Sequence, residues 1–303
     1  MSNKEIIEKI NTLKEKRRAV ILAHNYQRDE VQHIADHTGD SLGLSRIAAS
    51  VDADVIVFCG VHFMAESASI LAPEKTILLP DAGAGCPMAD MVTAADVREL
   101  KRQHPGALVL AYVNTSADVK AETDICCTSS NALKVVESLP TNQEIIFVPD
   151  QHLANWVARK TGRTFITWKG FCPTHVNIRP DDVRAEKEAH PEAVVLAHPE
   201  CPAAVLDLAD EVLSTTGILN SAKNSNAAEF IIATEPGVMC SLREDNPGKT
   251  FYPARERAIC PDMKKITLNK VLQSLETMQP EVRVPEEIAA RARRAVERMV
   301  AIG

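Results

Sequence analysis

Of the eight cysteines in this 303-residue chain, three share a setting: Cys86, Cys172 and Cys260 each precede a proline and lie 86 and 88 residues apart. Thiolates at equivalent places in a repeat are candidates for one metal centre. A structural zinc site normally takes four protein ligands. Three thiolates with no fixed fourth ligand fit better a 4Fe-4S cluster in which one iron keeps an open position, although four cysteines are the commoner arrangement. Such an iron is a Lewis acid for a substrate hydroxyl, carboxylate or nitrogen, and dehydration is its natural use. Cys59, Cys126, Cys127, Cys201 and Cys240 have no such correspondence. They read as packing, since free cysteine is among the most buried residue types.

The same interval governs the elements that must position the thiols. Apolar runs begin at Ala19 (AVILAH), Ala107 (ALVLAY) and Ala193 (AVVLAH), and each stops on a polar ring, His24, Tyr112 or His198. A second run recurs as DVIVFCG, EIIFVPD and EFIIATE, and a third run closes on each Cys-Pro. Between the first and second runs lie helical patterns that open on hydroxyl residues suited to N-caps, at Ser41, Ser129 and Thr215 with Thr216. Further helices precede the first runs, two of them visibly alike (DVRELKRQHPGA and DVRAEKEAHPEA), and PEEIAARARRAVERMVAI predicts a C-terminal helix.

Nearly unbroken Val, Ile and Leu strands alternating with helices indicate parallel sheets covered on both faces. The expected fold is therefore α/β: three homologous Rossmann-like α/β/α units about a pseudo-threefold axis, over residues 1–88, 89–177 and 178–303, the last carrying the C-terminal helix. In open parallel sheets ligands bind beyond the carboxyl ends of the strands. If the three sheets share a centre, strand ends, helix starts and one cysteine per unit meet there. Helix N-termini carry unpaired N–H groups and partial positive charge, so the centre suits carboxylate or phosphate.

Bulk composition bounds the rest. The net charge of −7 and the 4% aromatic content argue against nucleic-acid binding. No apolar run approaches the roughly 20 residues of a membrane span, and the N-terminus has no signal-peptide pattern. A cytoplasmic chain with reduced thiols is expected.

The motifs AHNYQ, GDSLGLS, GVHFMAE, DAGAGCPMADM, YVNT, CTSSNA, CPTH, HPEC, STTGI and CPDMKKIT run in order from about residue 20 to about residue 270. Together they closely resemble the quinolinate synthase family. That resemblance implies a triangle of three α/β/α domains around a 4Fe-4S cluster held by Cys86, Cys172 and Cys260. It implies condensation of iminoaspartate with dihydroxyacetone phosphate to quinolinate, phosphate and water in de novo NAD biosynthesis, with L-aspartate oxidase as a possible functional partner. It also implies a cavity lined by His24, Tyr26, Ser41, Tyr112, Asn114, Ser129, His175, His198, Glu200, Thr215 and Thr216, with Lys223 at its entrance. Longer members carry Cys-x-x-Cys-x-x-Cys around the third ligand. Here the two upstream positions are Ala254 and Arg257, so no disulfide switch is expected there.

Proton movements in such a condensation need acid and base groups within hydrogen-bond reach. Glu200 is the expected base, with Tyr26, Tyr112 and His198 handling or positioning protons. Another open-iron hydro-lyase of the aconitase kind is the alternative enzyme, and a zinc-stabilised scaffold or sensor the non-enzymatic one. His33, His37, His104, His152 and His190 read as surface or supporting groups, and His62 and Glu66 are left without a role.

Overall fold

The computed structural model describes residues 1–302. Twelve strands form three separate parallel sheets of four. The first contains β1 (Ala19–His24), β2 (His37–Gly39), β3 (Val55–Cys59) and β4 (Thr76–Leu78). The second contains β5 (Leu108–Tyr112), β6 (Ile125–Cys127), β7 (Ile145–Val148) and β8 (Ile166–Thr167). The third contains β9 (Val194–Ala197), β10 (Glu211–Val212), β11 (Glu229–Ala233) and β12 (Thr250–Pro253). Each has its second strand at one edge and the order 2-1-3-4, so the threefold α/β reading holds down to strand order. Strands β3 and β7 are buried at every residue, which is why they read as unbroken apolar runs.

The edge strands β2, β6 and β10 are only two or three residues long, and the sequence reading misses them. Three aspartates hold them in register. Asp36, Asp124 and Asp210 accept the backbone N–H of Ile21, Val109 and Val195, each at 2.8 Å. A second device repeats at the far ends of the helices. Lys75 Nζ donates to Val51 O at 2.7 Å, Arg163 to Val136 O at 3.1 Å, and Lys249 Nζ to Ser225 O at 2.6 Å. Each cation thus meets the negative end of the helix joining the first two runs of its unit.

The expected hydroxyl N-caps are one place where the structure differs. Helix Ser41–Ser50 is capped by Asp40, whose Oδ1 accepts Gly43 N–H at 2.9 Å, and helix Thr215–Asn224 by Ser214, whose Oγ accepts Gly217 N–H at 3.1 Å. Ser41 and Thr215 are therefore the first helical residues, and their hydroxyls are not used as caps. In the second unit the helix spans only Ala132–Glu137. The preceding residues form a turn closed by Asn131 Oδ1, which accepts the Thr128 N–H at 2.8 Å. An Asn side chain competing for the backbone in this way favours a turn over another helical residue.

The C-terminal segment crosses back to the start of the molecule. Helix Leu268–Thr277 packs on helix Asn3–Arg17 and on β3. Residues beyond it run beside β4, where Val282 N–H donates to Ile77 O at 2.8 Å and Leu79 N–H to Pro280 O at 3.0 Å. Helix Glu286–Ala301 then lies on the first and second units, and Asn131 Nδ2 donates to the carbonyls of Met299 and Ile302 at 2.9 and 2.6 Å. Among the described residues no helix is long and apolar enough to cross a membrane.

Candidate active site

The carboxyl ends of all three sheets face a common cavity of about 130 Å³, roomy beside the roughly 10–15 Å³ that one water occupies on the same measure. Four threefold sets line it: His24, Tyr112 and His198; Tyr26, Asn114 and Glu200; Ser41, Ser129 and Thr215; and Cys86, Cys172 and Cys260. The first set stands at or just past the ends of the central strands, and the second two residues further on in the turns that follow. Of the residues expected from sequence to line or enter the site, the cavity gathers all but Thr216 and Lys223. These two lie on a neighbouring cavity with Asn25. His62 and Glu66 line a third, where Glu66 accepts the Ala117 N–H at 3.0 Å.

Symmetry fixes the imidazoles. His24 Nδ1 accepts the Tyr26 N–H at 3.1 Å and His198 Nδ1 accepts the Glu200 N–H at 3.3 Å. The remaining proton is thereby assigned to Nε2, and His198 Nε2 meets Ser129 Oγ at 3.1 Å. Burial lowers His24 to about 4 and His198 to about 3, so both rings are neutral donors at pH 7.

His175 breaks the symmetry, because the equivalent positions hold Ala89 and Met263. Its Nδ1 lies 2.7 Å from Glu200 Oε2 and 3.1 Å from Cys172 Sγ, and its Nε2 lies 2.8 Å from Thr234 Oγ1. Thr234 Oγ1 is 2.6 Å from Tyr26 Oη, to which Thr215 Oγ1 donates at 2.9 Å. On the other side Tyr112 Oη donates to Glu200 Oε1 at 2.5 Å. One hydrogen-bonded chain thus runs from Thr215 through Tyr26, Thr234 and His175 to Glu200, and a second arm reaches it from Tyr112. With the proton of His175 on Nδ1, every hydroxyl in the longer arm donates toward Glu200.

Burial works to raise the Glu200 carboxyl, but the neighbouring His175 and His198 and the donors on both oxygens hold it well below the usual range. Burial, reinforced by the Glu200 charge, pushes both Tyr26 and Tyr112 well above 10, so the phenols keep their protons. The site pairs an ionised carboxylate with protonated donors.

The three cysteine thiols are partly buried, and desolvation raises all of them, Cys86 to about 12, with the other thiols adding to the rise at Cys86 and Cys172. Each faces the backbone N–H three residues on, at Ala89, His175 and Met263. Converging sulfurs, each with a waiting N–H donor, suit thiolates bound to metal and fit a cluster. A buried carboxyl anchors one of the cysteine backbones: Glu235 Oε1 takes the Cys260 N–H at 3.2 Å while lying 3.0 Å from Lys264 Nζ. Asp150, equally buried, caps helix Gln151–Thr161 by accepting the Leu153 N–H at 2.6 Å.

Sequence reasoning missed Asp40, Asp150, Thr234, Glu235 and Lys264. A signal existed for two of them: the runs EIIFVPD and EFIIATE both end on an acid where DVIVFCG ends on glycine. Asp40 also alters the expectation of three free helix starts, since a carboxylate already sits at the first one and accepts a bond from Ser130.

A cavity with three thiols, an ionised carboxylate and protonated phenols, placed where parallel strands end, is the site of an enzyme acting on small molecules. The family model described as quinolinate synthetase A protein matches residues 8–301. The quinolinate synthase of Geotalea uraniireducens (strain Rf4) is 56% identical over 302 residues, covering 100% of this chain and 99% of that relative. That of Methanoregula boonei is 56% identical over 295 residues, 97% of each chain, and quinolinate synthase 1 of Methanosarcina acetivorans is 55% identical over 302 residues, 100% of this chain and 99% of its own. The chain belongs to the quinolinate synthase family.

Proposed function

We propose that this chain condenses iminoaspartate with dihydroxyacetone phosphate to quinolinate, phosphate and water in de novo NAD biosynthesis. The single observation that carries the reading is the meeting of three equivalent thiols with one asymmetric acid–base chain in one cavity. Cys86, Cys172 and Cys260 would hold a 4Fe-4S cluster, which when bound supplies an iron with an open position as Lewis acid.

The chain's own groups divide the remaining work. Neutral His24 and His198 offer Nε2–H donors, and Ser41, Ser129 and Asn114 offer hydroxyl and amide groups, to the carboxylates and phosphate of the substrates, while Thr215 keeps its hydroxyl proton on Tyr26. Asn114 Oδ1 is buried without a partner and awaits a donor. Glu200 is the base. It takes protons directly at the Tyr112 end of the cavity. At the other end a proton taken by Tyr26 moves its own on to Thr234, then to His175 Nε2, while Nδ1–H passes to Glu200. One carboxylate then serves reacting carbons on both sides of the cavity. Tyr112, already bonded to Glu200, returns a proton to a leaving oxygen. Val61, Phe63 and Met64 form an apolar wall that limits water. Thr216 and Lys223 would act on substrate in the adjoining cavity. Iminoaspartate hydrolyses in water, so L-aspartate oxidase is the expected supplier.

The test is incubation of anaerobically purified, cluster-bearing protein with aspartate, L-aspartate oxidase and dihydroxyacetone phosphate. Quinolinate should accumulate, and its absence with an intact cluster would overturn the reading.

A further inference from the structure

Away from the cavity, His33, Cys240 and Glu244 bring one imidazole nitrogen, one sulfur and one carboxylate oxygen within 4.8 Å of one another. Cys240 and Glu244 stand one turn apart on helix Met239–Asp245 of the third unit, and His33 ends the short helix Asp29–Gln32 of the first. From sequence both Cys240 and His33 read as inert.

The separations suit a small tetrahedral cation. Zn–S near 2.3 Å with Zn–N and Zn–O near 2.1 Å demands S···N and S···O edges of about 3.6 Å and an N···O edge of about 3.4 Å. Cys240 Sγ lies 3.5 Å from His33 Nε2 and 3.8 Å from Glu244 Oε1. Only the His33 to Glu244 edge is short, at 2.6 Å, the length of a hydrogen bond in which a proton stands where the ion would. Both of those side chains are more than half exposed, at 52% and 58%, so the edge can widen by a rotamer adjustment and the ion has a path in. Asp29 adds negative charge beside the sulfur, partly offset by Arg243.

Two of the three side chains border a neighbouring cavity. His33 and Glu244 line the cavity that holds Thr216 and Lys223, about 520 Å³ in volume. Asn25 on its wall is 1% exposed, and neither its Oδ1 nor its Nδ2 has a partner. Buried amides are rarely left unpaired.

We propose that His33, Cys240 and Glu244 form a second metal site that takes Zn²⁺, with its fourth position open to that cavity. Thiolate, imidazole and carboxylate together select zinc over the hard cations Mg²⁺ and Ca²⁺. Binding displaces the thiol proton and the proton shared by His33 and Glu244, with no change of oxidation state. The ion cross-links the first and third units where they are already stitched. Gln32 Nε2 donates to Gly237 O at 2.9 Å and to Gln27 O at 3.0 Å, and Ser241 Oγ donates to Gln32 Oε1 at 3.2 Å. The segments so joined carry Tyr26 on one side and Glu235 on the other.

Cluster-bearing protein, prepared anaerobically so that the three cavity cysteines are occupied, is equilibrated with Zn²⁺, freed of excess metal, and analysed for zinc and iron. About one zinc per chain should remain, with iron unchanged. Cys240→Ser and His33→Ala should each retain less than about a tenth of that zinc, and Zn²⁺ should raise the thermal midpoint of the wild type alone. His33 is exposed, so its variant tests the site without threatening the fold. The proposal fails if wild type and both variants retain equal zinc, if none retains any, or if Cys172→Ser loses the zinc while Cys240→Ser keeps it.

Discussion

Thr234 Oγ1 and His175 Nε2 lie 2.8 Å apart, and this contact joins Tyr26 to the hydrogen-bonded chain that ends on Glu200. Thr234 is 1% exposed and also touches Tyr26 Oη. Thr234→Val keeps the shape and removes the relay. Quinolinate formation should fall about 10- to 100-fold in kcat with KM changed only a few-fold, the scale of a lost acid–base component. Thr234→Ser should restore most of the rate. Equal kcat values for wild type and the valine variant would remove Thr234 from the path.

The Glu235–Lys264 pair holds the Cys260 peptide from below, and Lys264 Nζ also donates to the Tyr26 carbonyl at 2.5 Å. Lys264→Met leaves the fully buried Glu235 carboxylate unpaired, a loss of about 3 kcal/mol for a broken buried pair. The urea midpoint should drop, and iron should be lost faster in air than from wild type. A variant with unchanged midpoint and iron retention would make the pair incidental.

Stability should depend on pH through His24 and His198. An unfolded histidine titrates near 6.5, and burial lowers these two to about 4 and about 3 in the folded chain. Between those values the unfolded state binds more protons, so stability present above about pH 6.5 is lost as pH falls. Urea midpoints measured from pH 7.5 to pH 5 should decline, and less steeply in His198→Gln. A flat profile would mean that neither ring is held neutral by the fold.

Cys172→Ser should abolish the centre more completely than the distances alone suggest, because His175 Nδ1 loses a sulfur partner at 3.1 Å as well. Iron and sulfide should fall well below about four of each per chain, and quinolinate formation should vanish. Full iron and sulfide in this variant would move the ligand set elsewhere.

Much of this arrangement was legible because one interval recurs. The thiols, the rings at the strand ends and the hydroxyls at the helix starts all keep it, and the resemblance supplied Glu200, Tyr26 and His175. What stayed hidden lies off that pattern. Thr234 follows an ordinary apolar run, and only the folded chain brings it to Tyr26, 208 residues away. The edge strands escape notice because three residues such as His37–Gly39 are held by Asp36 rather than by apolar burial. The hydroxyl caps were misread because the neighbouring Asp40, Asn131 and Ser214 compete for the same backbone groups. With that role taken, Ser41, Ser129 and Thr215 all reach the cavity.

The return of residues 268–302 to the first sheet has a bearing on biosynthesis. Nascent domains commonly fold in order as they leave the ribosome. Here the first sheet must wait for helix Leu268–Thr277 and the strip beside β4, both of which follow the third sheet in the chain. The third cysteine, Cys260, also emerges late. The first sheet is therefore finished only after the third has been made, and a cluster held by all three cysteines could assemble only once Cys260 had emerged.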